Sequence, residues 1–171
     1  MAGPNGLHDL TWDSATSASM VFGVLRVPFQ KMSPGKITVK VDKPRRIGES
    51  LPTKRTPGAG EMATFNGEVL ATDYESLILP RMPKHGGTLV VFPILITLKH
   101  PSVLGSLSIL MDESRIVEID GPELDASEKA LVYKLGFDAQ ARYDKGRDGI
   151  WKSLTFNPRR PSSDAVALMK F

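Results

Sequence analysis

In the segment LVYKLGFDAQARY, residues 131–143, every odd position is apolar: Leu131, Tyr133, Leu135, Phe137, Ala139, Ala141 and Tyr143. Lys134, Asp138, Gln140 and Arg142 fall among the even positions, with Val132. A period of two describes a strand with one buried face. A helix over the same residues would set Asp138 and Arg142 on its apolar side, so the strand is the better reading. The turn-forming DKGRDG and a second strand, IWKSLTF, follow directly, which predicts an antiparallel hairpin.

Further strands fit around it. KITVKVD, residues 36–42, alternates Ile37, Val39 and Val41 against Lys36, Thr38, Lys40 and Asp42, as a half-buried strand does. MVFGVLRVPF, from Met20, is an apolar run of strand length ended by Pro28. TLVVFPILITLK and VLGSLSILM are apolar on both faces and read as neighbouring central strands. ATFNGEVLA (63–71), YESLILP (74–80) and RIVEI (115–119) are weaker candidates. Pro122 after Gly121, with the Asp125-x-x-Glu128 spacing of a capping box, predicts a short helix near 122–130. The expected fold class is a β-rich α+β single domain of sandwich-like antiparallel sheets with one or two short helices. The small, polar residues 1–19 read as a flexible N-terminal arm, and residues 20–171 as the globular part.

The chain of 171 residues has a net charge of only +3, and the distribution of charge is more informative than its sum. Between Lys31 and Arg55 eight Lys/Arg face two acids, whereas between Asp112 and Glu128 seven acids face one Arg115. Such two-sided charge suits head-to-tail association or an anionic partner. With no cysteine, disulfides and thiolate metal sites are excluded. The N-terminus lacks the pattern of a signal peptide, and the most apolar run is too short to span a bilayer and contains Pro93. A soluble, intracellular protein is expected.

Signatures of catalysis are missing: the sequence holds no phosphate loop, no His-Glu-x-x-His and no nucleophile elbow. His8, His85 and His100 are scattered, and the acids at 112–128 lack calcium-loop order, reading instead as a solvated acidic face with helix-start carboxylates. No catalytic residue, metal site or cofactor is expected. KPRRIGESLPTKRTPGAG, residues 43–60, is different. It reads as a Gly/Pro-rich loop whose Lys43, Arg45, Arg46, Lys54 and Arg55, with Lys36 and Lys40 on the preceding strand, suit a phosphate or lipid headgroup. The bland alternative is a solubilising loop. Residues 31–64 have no aromatic to stack on bases, so any anion binding would be independent of sequence. On the arm, Leu10 and Trp12 are apolar anchors that either fold back or dock on a neighbour to build open polymers.

SEKALVYKLGFDAQARYDKGRDGIWKSLTF, residues 127–156, resembles the C-terminal part of rhabdovirus matrix proteins: EKAL opens an apolar strand, a Lys/Gly turn follows, and then a Trp-containing strand. ITVKV leading into KPRR is similar to the strand and basic loop early in that family's globular domain. The lack of a lysine-rich tail and of Pro-Pro-x-Tyr fits a small plant-virus type. The resemblance implies a non-catalytic protein of the virion and host cytoplasm that self-assembles and bridges viral nucleocapsid or RNA to an anionic membrane surface. A β-rich viral RNA-binding accessory or movement protein is the alternative.

Overall fold

A computed structural model describes residues 15–42, 56–85, 90–99, 106–122, 131–155 and 160–170. The chain folds as a β-rich single domain of antiparallel strands with two short helical segments, as its periodicity predicts. The strands are β1 (Ala15–Phe22), β2 (Leu25–Pro28), β3 (Lys31–Ser33), β4 (Ile37–Asp42), β5 (Thr56–Met62), β6 (Phe65–Leu70), β7 (Phe92–Lys99), β8 (Ser106–Asp120), β9 (Val132–Asp138), β10 (Ala141–Lys145) and β11 (Trp151–Ser153). Helical segment α1 covers residues 71–81, and helix α2 is Ser163–Met169.

Strand β8 organises the molecule. Its first half lies between β7 and β10, and its second half pairs with β9. Two half-sheets result, one ordered β2-β1-β7-β8-β10-β11 and the other β8-β9-β6-β3. The corner between them falls at Asp112-Glu113-Ser114. There Glu113 adopts a left-handed φ of 50°, unusual for a residue with a side chain. The Asp112 carboxylate accepts the Glu113 N–H at 2.8 Å, and the Ser114 hydroxyl donates to the Met111 carbonyl at 3.1 Å. The partner strand breaks at the same level, between β9 and β10. Odd positions from Tyr133 to Tyr143 therefore point inward, but into two different cores, while Leu131 ahead of β9 is 40% exposed.

The first core lies between the half-sheets. Met20, Val27, Ile94, Ile96, Ile109 and Met111 contribute from one side, Phe65, Val69, Leu135 and Phe137 from the other, and Tyr74 and Ile78 of α1 close it. Phe137 is fully buried among Phe65, Phe29 and Phe92, with ring centroids 5.4, 5.6 and 6.2 Å away. Burial of each such side chain is worth about 1.5–3 kcal/mol. The second core, with Val21, Leu110, Ala141 and Tyr143, occupies the far face of the first half-sheet and is covered by Ala165 and Leu168 of α2. That β7 and β8 are neighbours apolar on both faces follows from this double burial.

Helix α2 is pinned at both ends. Ser162, its N-cap, accepts from Ala165 N–H and donates through its hydroxyl and its N–H to the two oxygens of Asp112, at 2.5 and 2.8 Å. The Trp151 indole N–H donates to the Met169 carbonyl at 3.0 Å. Asp112 is thus a buried, saturated carboxylate that fixes the corner to the helix. This corrects the expectation that it belongs to a solvated acidic face.

Other expectations are corrected as well. YESLILP is helical: Tyr74, Leu77, Ile78 and Arg81 have the i, i+3, i+4, i+7 spacing of one helical face. The run from Met20 is a hairpin, because Gly23 at φ 63° opens a two-residue turn with Val24, the II′ arrangement favoured between twisted strands. RIVEI is the end of β8 rather than a separate strand. Residues 56–60, read as loop, belong to β5. Strand β1 begins at Ala15, inside the stretch read as an arm. The expected helix near 122–130 lies, apart from Pro122, outside the described residues.

Candidate assembly interface

The half-sheet β8-β9-β6-β3 buries one face in the first core and leaves the other in solvent. Its solvent face carries two rows of side chains in direct register. Asp120 on β8 is opposite Lys134 on β9, Lys134 is opposite Glu68 on β6, and Glu68 is opposite Lys31 on β3. The neighbouring row is Glu118, Gly136, Asn66 and Ser33. Together they form a shallow groove of about 500 Å³. Gly136 is required on its floor, since a Cβ there would sit 2.8 Å from the Cβ of Glu118.

Both edges of this half-sheet are open among the described residues. Strand β3 pairs only with β6, and β8 beyond Ser114 pairs only with β9. Val117 and Ile119 on that stretch of β8 are 53% and 42% exposed. An edge presenting unpaired N–H and C=O groups beside apolar side chains is a template for another strand. The first half-sheet also ends in edge strands among the described residues, β2 and β11. Its surroundings differ: the turn before β11 is stiffened by a 2.8 Å Lys152–Asp148 pair, and α2 covers the face opposite the first core. The hydrogen bond from Lys152, then that from the Ile150 N–H, hold the Asp148 carboxyl below its ordinary pKa.

A second feature stands apart from the main sheet. Among the described residues, strands β4 and β5 pair only with each other, as a two-stranded ribbon. Val39, expected on a buried face, is 50% exposed, and no described element forms a second layer over it. The ribbon is tied to the domain at its root. There the Arg142 guanidinium grips Asp144 at 2.9 and 3.1 Å and donates to the Gly35 carbonyl at 3.3 Å. The Ala63 N–H closes the ribbon's base on the Lys36 carbonyl at 2.9 Å.

Of the basic cluster expected from the sequence, two members fall at this ribbon. Lys36 precedes β4 and is exposed, and Lys40 lies within β4. Lys43, Arg45, Arg46, Lys54 and Arg55 lie outside the described residues, as do Leu10 and Trp12. The open edges and the charged row were not identified from the sequence. The row is visible only after register is known, since Lys31, Glu68, Asp120 and Lys134 are scattered along the chain. Among the described residues no cluster of three or more His, Asp or Glu is arranged to hold a metal ion, and no helix is long and apolar enough to cross a membrane.

No protein-family model and no curated protein sequence matches the chain. Solved structures do share its fold. A chain of the extended sheath–tube complex of the PVC extracellular contractile injection system superposes with a TM-score of 0.63 at 11% identity, covering 84% of this chain and 99% of that one. A chain from the PVC sheath/tube terminator gives 0.62 at 13% identity, over 77% and 94%. A crystal structure of an Hcp protein gives 0.52 at 10% identity, over 84% and 99%. The resemblance to rhabdovirus matrix proteins is corrected by this likeness, and with it the assignment to a virion and host cytoplasm and the expected viral roles, bridging nucleocapsid to membrane or acting as an RNA-binding or movement protein. The matched hairpin, an alternating strand with a Lys/Gly turn and a tryptophan, is a pattern that many antiparallel sheets require, so it carried little information about family. The fold this chain shares is that of injection-system and Hcp proteins.

Proposed function

We propose that this chain is a structural, non-enzymatic subunit that assembles head-to-tail into rings, and through them a tube, of a contractile injection or secretion apparatus. The observation that carries this reading is the pair of open edges on one four-stranded half-sheet. Strand direction alternates across β8, β9, β6 and β3, so the two edge strands run oppositely. A rotation about an axis along the strands preserves their direction. Strand β3 of one copy therefore meets β8 of the next in antiparallel sense, and repetition closes a continuous barrel with no free edge. The exposed Val117 and Ile119 then gain cover from the neighbour.

The β4–β5 ribbon supplies a second contact, between rings. Its uncovered Val39 offers an apolar contact, and the basic positions Lys36, Lys40, Lys43, Arg45, Arg46, Lys54 and Arg55 keep the role of anion contacts, toward carboxylates of a stacked copy. Leu10 and Trp12 remain candidates for anchoring the N-terminal segment on a neighbour. By analogy with the sheath–tube and terminator structures, sheath-like and terminator-like proteins are the partners to seek.

Electron microscopy of the purified full chain at increasing concentration tests the reading. Rings of uniform diameter that stack into tubes are expected. Reversal of Arg45, Arg46, Lys54 and Arg55 to Glu is expected to leave single rings that no longer stack. A protein that stays monomeric at high concentration overturns the proposal.

A further inference from the structure

The charged row on the solvent face continues across the subunit boundary. We infer that Lys31 of one copy and Asp120 of the next form an electrostatic seam that selects head-to-tail closure and makes it sensitive to salt. This rests on the ring reading above, and it concerns which side chains fix the joint.

Within one subunit the row reads Asp120, Lys134, Glu68, Lys31, each residue directly opposite the next on the adjacent strand. The signs alternate: negative, positive, negative, positive. Directly opposed charges of opposite sign on a sheet face stabilise the pairing, and like charges destabilise it. Four alternating charges on four strands leave unlike signs at the two ends. Asp120 ends the row on the open edge of β8, and Lys31 ends it on the open edge of β3, both exposed. When β3 of one copy meets β8 of the next, these ends become the next pair in the series and the alternation runs unbroken around the barrel. Any self-pairing of identical edges, β3 with β3 or β8 with β8, sets Lys31 against Lys31 or Asp120 against Asp120 when the rows align. The row thus favours the heterologous joint, which closes rings, over the two-fold joint, which ends at a dimer. The adjacent row adds no competing cation, since it contains Glu118, Gly136, Asn66 and Ser33.

The test is a complementation between two charge-reversed full-length proteins, Lys31→Glu and Asp120→Lys, read by mass photometry and electron microscopy. Alone, Lys31→Glu sets two carboxylates across every joint, and Asp120→Lys sets two ammonium groups there. Each is expected to weaken association by roughly two- to thirty-fold per joint, a loss that compounds around a ring. Mixed in equal amounts, the two proteins make two kinds of joint. In one, the introduced carboxylate at position 31 faces the introduced ammonium at position 120; in the other, the original Lys31 faces the original Asp120. Both are attractive, so rings are expected to return with the two forms alternating. The defect of each single variant is also expected to shrink in about 1 M salt, where the screening length falls to about 3 Å. Circular dichroism on the monomers separates an assembly defect from a folding one, because only the former is repaired by mixing. The seam is overturned if wild type forms rings and both variants form them equally well, or if the variants stay apart when mixed although each is folded. Failure of wild type itself to form rings overturns the ring reading, and the seam with it.

Discussion

The two half-sheets share one core and differ in everything outside it. The β2-β1-β7-β8-β10-β11 half is covered on both faces, by the opposite half-sheet and by α2, and the helix is held by Asp112 at one end and Trp151 at the other. Among the described residues the β8-β9-β6-β3 half is covered on one face only, has the exposed Val117 and Ile119 on one of its edges and carries a charged row on its other face. Strand β8 runs through both, so a single strand is fully buried in one half and an edge in the other. The corner at Glu113 marks the change. One half holds the fold, and on the proposed reading the other meets a neighbour. A substitution can therefore be sorted by which half it touches before its chemistry is considered.

The largest expected effect is one that abolishes the distinction. Leu135 belongs to the shared core and is 1% exposed, so Leu135→Asp buries an unpaired charge and is expected to prevent folding of both halves. Val132→Asp, on the same strand but half-buried, is expected to be much milder. Circular dichroism and thermal melts check this, and equal damage at both positions would break the two-residue period. Next comes Asp112→Ala, confined to the first half. It removes the acceptor for the Ser162 N–H and hydroxyl and for the Glu113 N–H. A loss of about 2–4 kcal/mol is expected, with the melting temperature falling about 5–15 °C. Because the edges of the second half are untouched, assembly should survive below the new melting point.

Arg142→Ala tests the ribbon, which belongs to neither half. Loss of the fork on Asp144 and of the Gly35 contact is expected to cost about 1 kcal/mol of stability and to impair stacking of rings more than their formation. Lysine has no planar fork, so Arg142→Lys is expected to restore little. The smallest effect on the monomer is Val117→Lys, at an exposed position on the open edge. Stability should change by less than about 0.5 kcal/mol, while ring formation is lost, since an edge lysine opposes strand addition. Mass photometry beside a thermal melt reads both quantities.

The strands were legible in the sequence wherever burial had a simple period. Residues 133–143 alternate because the odd positions are buried in one core along β9 and in the other beyond it, and β7 and β8 are apolar on both faces because two cores flank them. The hairpin at Gly23 was hidden because its two strands are largely apolar and the turn between them, Gly23-Val24, has an apolar second residue. Segment α1 was hidden because Tyr74, Ser76 and Ile78 imitate a strand, while the helical set Tyr74, Leu77, Ile78 and Arg81 is short. Lys36 and Lys40 were legible on a strand leading into a basic loop, but the pairing of that strand as a separate ribbon came only with the register of β4 against β5. The charged row was beyond reach for the same reason, since its four members come from four strands whose alignment depends on the whole topology. The rhabdovirus resemblance rested on one hairpin, the least distinctive unit of an antiparallel protein.

Hydrogen exchange of backbone amides, compared between dilute monomer and assembled protein, tests the central claim most directly. Among the described residues, the amides of Arg115–Asp120 and Lys31–Ser33 that point away from their internal partners have no ladder bond in the monomer, so they should exchange freely there and become protected on assembly. The core amides of β7 and the first half of β8 should be protected in both states. If assembled protein still exchanges freely along both edges, the subunits are not joined strand to strand, and the account of this half-sheet as the assembly surface is wrong.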